Sequence, residues 1–294
     1  MSCIDGFEKG AWVDMIDPDE SELREVSAKL DIDIKLLKAA LDEEETSHIE
    51  TEDGKTLIII DIPYVEKETT RYSTIPLGIV VTESNIVTVC LKNCPVLKEF
   101  SDGIVRNVAT NMKTRFIFTL LLRVAGAYLQ HLRQIDKASG IIEKQLYKSQ
   151  RNEELIQLLD LEKSLVFFST SLKSNKATLE KLLRGKHIQI YEDDKDLLED
   201  VLIEVHQAIE MADIYSSILS GTMDAFASVI SNNLNVTMKM LTSLTIIITI
   251  PNIIFGFYGM NVAGLPFSNS WFPLLISAAV MGVASLVLHK RKLF

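Results

Sequence analysis

The stretch MLTSLTIIITIPNIIFGFYGMNVAGLPFSNSWFPLLISAAVMGVASLVLH, residues 240–289, decides the fold. Its fifty residues contain no Asp, Glu, Lys or Arg, in a chain of 294 that is 24% charged. A helix needs about 20 apolar residues to cross a bilayer. Met240–Phe257 supplies one span, Trp271–His289 a second, and Tyr258–Ser270 a short loop between them. The spacing predicts an antiparallel transmembrane hairpin. Lys290, Arg291 and Lys292 follow at once, so the positive-inside rule puts the C-terminus in the cytoplasm. Two spans return the chain to its starting side, which makes the large N-terminal part cytoplasmic as well. Trp271 and Phe272 suit the outer interface.

The two spans differ in kind. Pro273–Leu288 is small and apolar, as a lipid-facing or packing helix is. The first span carries ordered polar groups. Asn235, Met238, Thr242, Thr245, Thr249, Asn252 and Gly256 step by three and four in alternation, a single stripe of 3.5-residue period; Ser243 lies off it. A polar stripe is costly against lipid, so it faces other helices or water. Its hydroxyls can bond back to their own helix carbonyls. Alternatively, several copies of the helix surround a narrow aqueous path. The Asn252 carboxamide favours the second arrangement, because one hairpin supplies it with no partner and encloses no pore. An oligomer follows. Pro251 leaves the Ile247 carbonyl without its helical donor. Met238 and Leu241 are candidates for an apolar constriction.

Upstream, the pattern reads as α+β. Residues 11–16 read as a strand, and Asp17-Pro18-Asp19-Glu20 opens a helix with Pro and acids where helix starts favour them. A second short helix spans Ile34 to Leu41. Ser47–Glu52 and Lys55–Ile62 form a hairpin across Asp53-Gly54, and Thr74–Thr82 and Asn85–Leu91 another across Glu83-Ser84. The apolar runs Leu57–Ile60 and Gly78–Val81 predict strands covered on both faces. From Lys113 the spacing turns helical: one helix to Lys148, a second from Asn152 to Leu183, and a third from Asp193. In the third, Leu198, Val201, Val205, Ala208, Ala212, Tyr215, Leu219, Thr222, Phe226 and Val229 form a heptad-like seam. Nothing stops it before Phe257, so it is predicted as one rod of roughly 95 Å. A break near Gly221-Thr222 is the alternative.

The expected organisation is a cytosolic α/β sandwich over residues 1–110 and long antiparallel helices over 111–190. A stalk helix continuous with the first span covers 191–257, an extracytoplasmic loop 258–270, the second span 271–289 and a basic cytosolic tail 290–294. Residues 1–239 hold 27 Lys/Arg against all 40 Asp/Glu, a net of −13 that argues against a nucleic-acid partner. Cys3, Cys90 and Cys94 are wrongly spaced for a disulfide framework or a zinc site and read as reduced thiols. The N-terminus lacks the features of a signal peptide. There is no phosphate loop, nucleophile elbow or paired-histidine metal motif, so an enzyme is not expected. The five histidines are scattered and read as surface or packing residues.

Tyr258-Gly259-Met260-Asn261, after the first of two C-terminal spans, resembles the CorA family of magnesium channels. Ser231–Lys239 entering the membrane is similar to that family too, as is Trp12-x-Asp14 before a Pro-acid helix start. The resemblance implies a homopentamer in the cell membrane with a central pore lined by the first span. Tyr258, Gly259, Met260 and Asn261 would form the selectivity filter, with Asn261 touching the ion through its hydration shell. Mg²⁺ sheds water reluctantly, and neutral oxygens can hold a hydrated ion weakly enough for release. The resemblance also implies gating by cytosolic Mg²⁺ bound between acidic residues, and Asp200 falls where the family places one of them. Mg²⁺ is thus expected as both cargo and regulator.

Two departures matter. The loop Val262–Ser270 has no acid where many relatives place one, and Asn261-Val262-x-Gly264-x-Pro266 is also similar to the zinc-transporting branch of the superfamily. The alternatives are therefore Zn²⁺, Ni²⁺ or Co²⁺ transport, or a membrane-anchored helical scaffold without a pore.

Overall fold

The computed structural model describes residues 2–4, 7–66, 71–105, 108–149, 152–185, 187–260 and 271–291. The expected α/β part is present as a six-stranded sheet of order β1-β2-β6-β5-β4-β3. Its strands are β1 (Ser2–Ile4), β2 (Trp12–Ile16), β3 (His48–Glu52), β4 (Lys55–Val65), β5 (Tyr72–Val81) and β6 (Ile86–Cys90). β2 and β6 run parallel, and the other neighbours are antiparallel. Asp53 and Gly54 both take positive φ, 47° and 76°, which is the turn that matches the twist of a two-residue hairpin.

Both sheet faces are covered, as the continuous apolar runs predict. Helices α1 (Glu20–Leu30) and α2 (Ile34–Ala39) cap one face. Asp19 accepts from the backbone of Ser21 and Glu22, and the Glu22 side chain returns to the Asp19 N–H, so α1 starts in a capping box. Leu23, Val26 and Leu37 then pack with Val13, Met15, Leu57, Ile59 and Val87. At Gly78 the approach of α2 is so close that a Cβ would lie 2.5 Å from the Ala40 Cβ; only glycine fits there. The other face, with Ile58, Ile60, Leu77 and Ile79 buried, meets the two long helices α4 (Lys113–Ser149) and α5 (Asn152–Arg184). A polar clasp joins them: Asn175 accepts from the Asp61 N–H and the Ser47 hydroxyl and donates to the Asp61 carbonyl, and the Tyr128 hydroxyl donates to that carbonyl too.

Two elements lie outside the sequence-based expectation, β1 and the short helix α3 (Pro95–Ser101). α3 buries Val96, Leu97 and Phe100. Phe100 and Phe116 pack on the Trp12 ring. β4 also runs past Ile62 through Pro63 to Val65. There its neighbour β3 has ended at the Ile59 pairing, so the N–H that Pro63 lacks would have met no strand.

The third long helix, α6, is Glu192–Tyr258 without interruption, and α7 is Phe272–Lys290. There is no break at Gly221. The chain forms two compact units, Met1–Gly221 and Thr222–Phe294, which divide within α6. Within the first unit, α4 and α5 supply one cover of the sheet.

The predicted α6 seam is buried at Leu198, Val201, Val205, Ala208, Ala212, Leu219 and Phe226, and Tyr215 and Thr222 are half-buried. Val229 is exposed. Cys90 and Cys94 are free and buried. Burial pushes the Cys90 thiol up to about 12, so it stays protonated.

Candidate functional site

The site is built on the end of α6. This helix and α7 are long and apolar enough to cross a membrane. Only 6% and 11% of their most apolar windows are buried within the chain, whereas a core helix of a soluble protein would be largely covered. What coverage exists is ordered. From residue 240 onward in α6 the less exposed positions are Ser243, Ile247, Ile250, Pro251, Ile254 and Tyr258; on α7 they are Phe272, Pro273, Ser277, Met281, Ala284 and Leu288. Each set is one line of helical spacing, and the Tyr258 ring lies 6.3 Å from Phe272 at the loop end of both lines. Ser243 and Ser277 are 1% and 4% exposed. Small residues of this kind let membrane helices approach closely.

Asn235, Met238, Leu241, Thr242, Thr245, Thr249, Asn252 and Gly256 are all exposed and lie together on α6. At 3.6 residues per turn they fall on nearly the opposite side from the Ser243–Tyr258 line. α7 therefore leaves this stripe uncovered. Thr245 donates to the Leu241 carbonyl at 2.8 Å and Thr249 to the Thr245 carbonyl at 2.7 Å. Their protons are satisfied by the helix, and their oxygens remain outward as acceptors. Asn252 has no hydrogen-bond partner among the described residues. A carboxamide at this depth needs one.

Tyr258 ends α6, and the Gly259 N–H closes it by donating to the Phe255 carbonyl at 2.8 Å. Gly259 and Met260 follow directly and are exposed. Asn261 and the rest of the loop to Ser270 lie outside the described residues.

Asp200 is exposed on the early part of α6. Among the described residues no three His, Cys, Asp or Glu side chains come together to hold a metal ion. The α6 period continues upstream from Asn235 through Ser231, Ser228 and Asp224, all exposed. Asp224 is thus the acid nearest the stripe. The charge-free span does not reach it, but the 3.5-residue count does.

The comparisons agree with this architecture. A family model described as "CorA-like Mg2+ transporter protein" matches residues 7–290. The chain is 29% identical, over 88% of its length and 82% of the relative's, to the cobalt/magnesium transport protein CorA of Methanocaldococcus jannaschii. It is 24% identical to the CorA of Thermotoga maritima, over 64% of this chain and 53% of that one. The complete structure of the CorA magnesium transporter from M. jannaschii superposes with a TM-score of 0.81 and 26% identity, covering 95% of this chain and 89% of that one. Full-length CmaX, at TM-score 0.73 and 15% identity, shares the fold over 99% of this chain and 90% of its own. With a sheet-centred N-terminal unit, an unbroken stalk helix, two apolar C-terminal helices and a family match over nearly its whole length, the chain belongs to the CorA-like Mg²⁺ transporter family.

Proposed function

We propose that the protein is a passive channel that admits Mg²⁺ to the cytoplasm down the membrane potential. One observation carries this: the polar stripe of α6, with the unpartnered Asn252, lies on the side of the helix that α7 does not cover. Copies of the chain arranged around that side, a homopentamer by analogy with the family, place hydroxyl and carboxamide oxygens around an aqueous path. Neutral oxygens suit a cation that keeps its water, since conduction needs sites weak enough to release it. Asn261 and the backbone of Tyr258, Gly259 and Met260 select the hydrated ion at the outer mouth. Asp224 adds carboxylates at the cytoplasmic end. Both termini lie in the cytoplasm, the side on which Lys290 and Arg291 are favoured.

Cytosolic Mg²⁺ closes the channel by bridging Asp200 to a neighbouring subunit. The absence of a three-ligand group within one chain, among the described residues, agrees with a site shared between subunits. The relatives are named for cobalt as well as magnesium, and Co²⁺ is the second cargo expected. Purified protein in liposomes should take up Mg²⁺ under an inward-negative potential, and Asn261→Ala should abolish that uptake. Undiminished flux in the variant would remove Asn261 from the mechanism, and a monomer in mild detergent would remove the pore. Competition by Co²⁺, Ni²⁺ and Zn²⁺ in the same assay ranks the ions. Asp200→Lys should weaken closure at millimolar Mg²⁺; unchanged inhibition sinks the gating assignment.

A further inference from the structure

Two cations of the second unit lie at one depth. The Tyr258 and Phe272 rings meet at the loop end of α6 and α7, 6.3 Å apart. Lys239 precedes Tyr258 by nineteen residues, and Arg291 follows Phe272 by nineteen. At 1.5 Å per residue each count spans about 28 Å, close to the roughly 30 Å of a hydrocarbon core. In the orientation proposed above, both cations reach the level of the lipid phosphates on the cytoplasmic side. They also share one side of the helix pair. Lys239 is one turn before Ser243, and Arg291 three residues after Leu288, the residues where the two facing lines end. At about 100° per residue each falls within roughly 60° of its line, and in an antiparallel pair both are displaced to the same side. Lys290 falls about 100° further round α7.

Nothing else in the second unit balances this charge. Asp224 is the single Asp or Glu between Thr222 and Phe294. It precedes Lys239 on α6 by fifteen residues, about 22 Å, well beyond the Debye length of about 8 Å in physiological salt. Lys239, Lys290 and Arg291 are exposed, and none has a side-chain ion pair among the described residues. For Lys290 and Arg291 the helix C-terminus is itself a reason to carry a cation. Lys239 has no such reason, because it lies in the interior of α6, far from either terminus.

An apolar ridge leads away from the two cations toward the loop end. Val287, Val283 and Val280 follow one another along α7 from Arg291 at steps of three and four residues, which makes them surface neighbours. They are 51%, 62% and 42% exposed. Cations at phosphate depth, continued by an apolar ridge inside the hydrocarbon layer, have the layout of a phospholipid of net negative charge. Basic clefts between membrane helices on the cytoplasmic side take such headgroups. We infer that Lys239 and Arg291 clamp the phosphate of an anionic phospholipid, with an acyl chain along Val287, Val283 and Val280. A zwitterionic lipid fits less well, since its own cation opposes both side chains. The inference rests on the membrane-spanning orientation proposed above, and on neither the pore nor the ion it carries.

Native mass spectrometry of the full chain in mild detergent, titrated with phosphatidylglycerol or phosphatidylcholine, tests it. One phosphatidylglycerol per chain should bind at least about tenfold more tightly than phosphatidylcholine. Lys239→Gln and Arg291→Gln should each weaken it about fivefold, the effect of one cation at an anionic surface. Lys239→Arg should keep the parent affinity. Lys290→Gln, at the same depth but further round α7, should change it less than about twofold. Equal binding of the two lipids overturns the site. Equal loss from Lys290→Gln and Arg291→Gln overturns it as well, because a diffuse basic collar would do that. Displacement of the lipid by millimolar inorganic phosphate would make this a free-anion site and overturns the lipid assignment. Retention of neither lipid overturns the membrane-spanning reading together with the site, whereas equal binding of both leaves that reading standing, so the two failures are distinguishable.

Discussion

The two ends of α6 obey the same helical spacing and reach opposite outcomes. Between Leu198 and Phe226, the apolar seam is buried and the exposed positions are mostly polar. Between Met240 and Tyr258, only Ser243 is fully buried, and the polar stripe and the isoleucines are both largely exposed. The first segment is completed by its own chain. On the proposed reading the second is completed by things outside it: lipid for its exposed apolar positions, and further copies for the stripe. Period alone therefore does not say which face is the interior. In water the apolar face hides; in a bilayer the polar face must.

Breaking that contrast at the membrane end has the largest expected effect. Asn252→Leu keeps size and helicity but removes the unpartnered carboxamide, and should lower Mg²⁺ flux in liposomes by more than about tenfold. Leu244→Ile, exposed but well round the helix from the stripe, should leave flux unchanged. Equal effects from both would mean that the stripe is only packing surface. At the cytosolic end the same kind of change should act on stability instead. Leu219 is 2% exposed in the seam, and Leu219→Ala should cost about 2–5 kcal/mol. Guanidinium unfolding of the detergent-solubilised chain, followed through tryptophan fluorescence, measures it. A cost below about 1 kcal/mol would mean that the site collapses without a cavity.

Most of the long elements were legible because their signals are local. The α4 and α5 starts, at Lys113 and Asn152, follow from periodicity, and the β3–β4 hairpin follows from Asp53-Gly54. The misses have specific causes. α3 carries a helix signature in Pro95 at its first turn and Val96, Leu97 and Phe100 on one side, but it is seven residues long and its stability comes from packing on Trp12. The extension of β4 through Pro63 depends on where β3 stops, which is a tertiary fact. Within the site, the stripe was readable from spacing. That α7 lies on the other side was not, since α7 is apolar nearly all round and only Ser277 and Leu288 are fully buried.

A third test concerns a polar group that the cytosolic unit does enclose. Asp14 is 1% exposed on β2 and accepts from the Thr88 hydroxyl at 2.8 Å, while Thr88 accepts from the Trp12 indole at 2.9 Å. Its second carboxyl oxygen has no partner among the described residues. Burial pushes the group from 3.8 to about 6, against a smaller opposing effect of Thr88. The Cys90 and Cys94 thiols facing it are protonated, so they add no second negative charge. Here the folded state binds the proton more tightly than the unfolded state. Asp14 thus favours folding below pH 4, and that contribution fades as pH rises to about 6. Asp14→Asn should flatten this slope. The parent-minus-variant stability should fall by up to about 3 kcal/mol between pH 4 and pH 7. A pH-independent difference would show that the carboxyl is ionised throughout.

The smallest effect is expected where the cytosolic part of α6 relies on exposed charge. Asp213 accepts from the Ser169 hydroxyl at 2.6 Å and pairs with Lys173 at 3.0 Å, tying α6 to α5. The Ser169 bond, with help from Lys173, holds its carboxyl below the usual 3.8. The sign is opposite to that of Asp14: the stabilisation is present above pH 4 and disappears as pH falls through the folded value. Its size is limited by solvent, since the Lys173 and Asp213 side chains are 56% and 50% exposed. Asp213→Asn should cost about 0.5 kcal/mol at pH 7, and less in high salt. A cost matching that of Leu219→Ala would mean that a surface tie, not the buried seam, holds this part of α6 in place, and the contrast between its two ends would then rest on charge instead of burial.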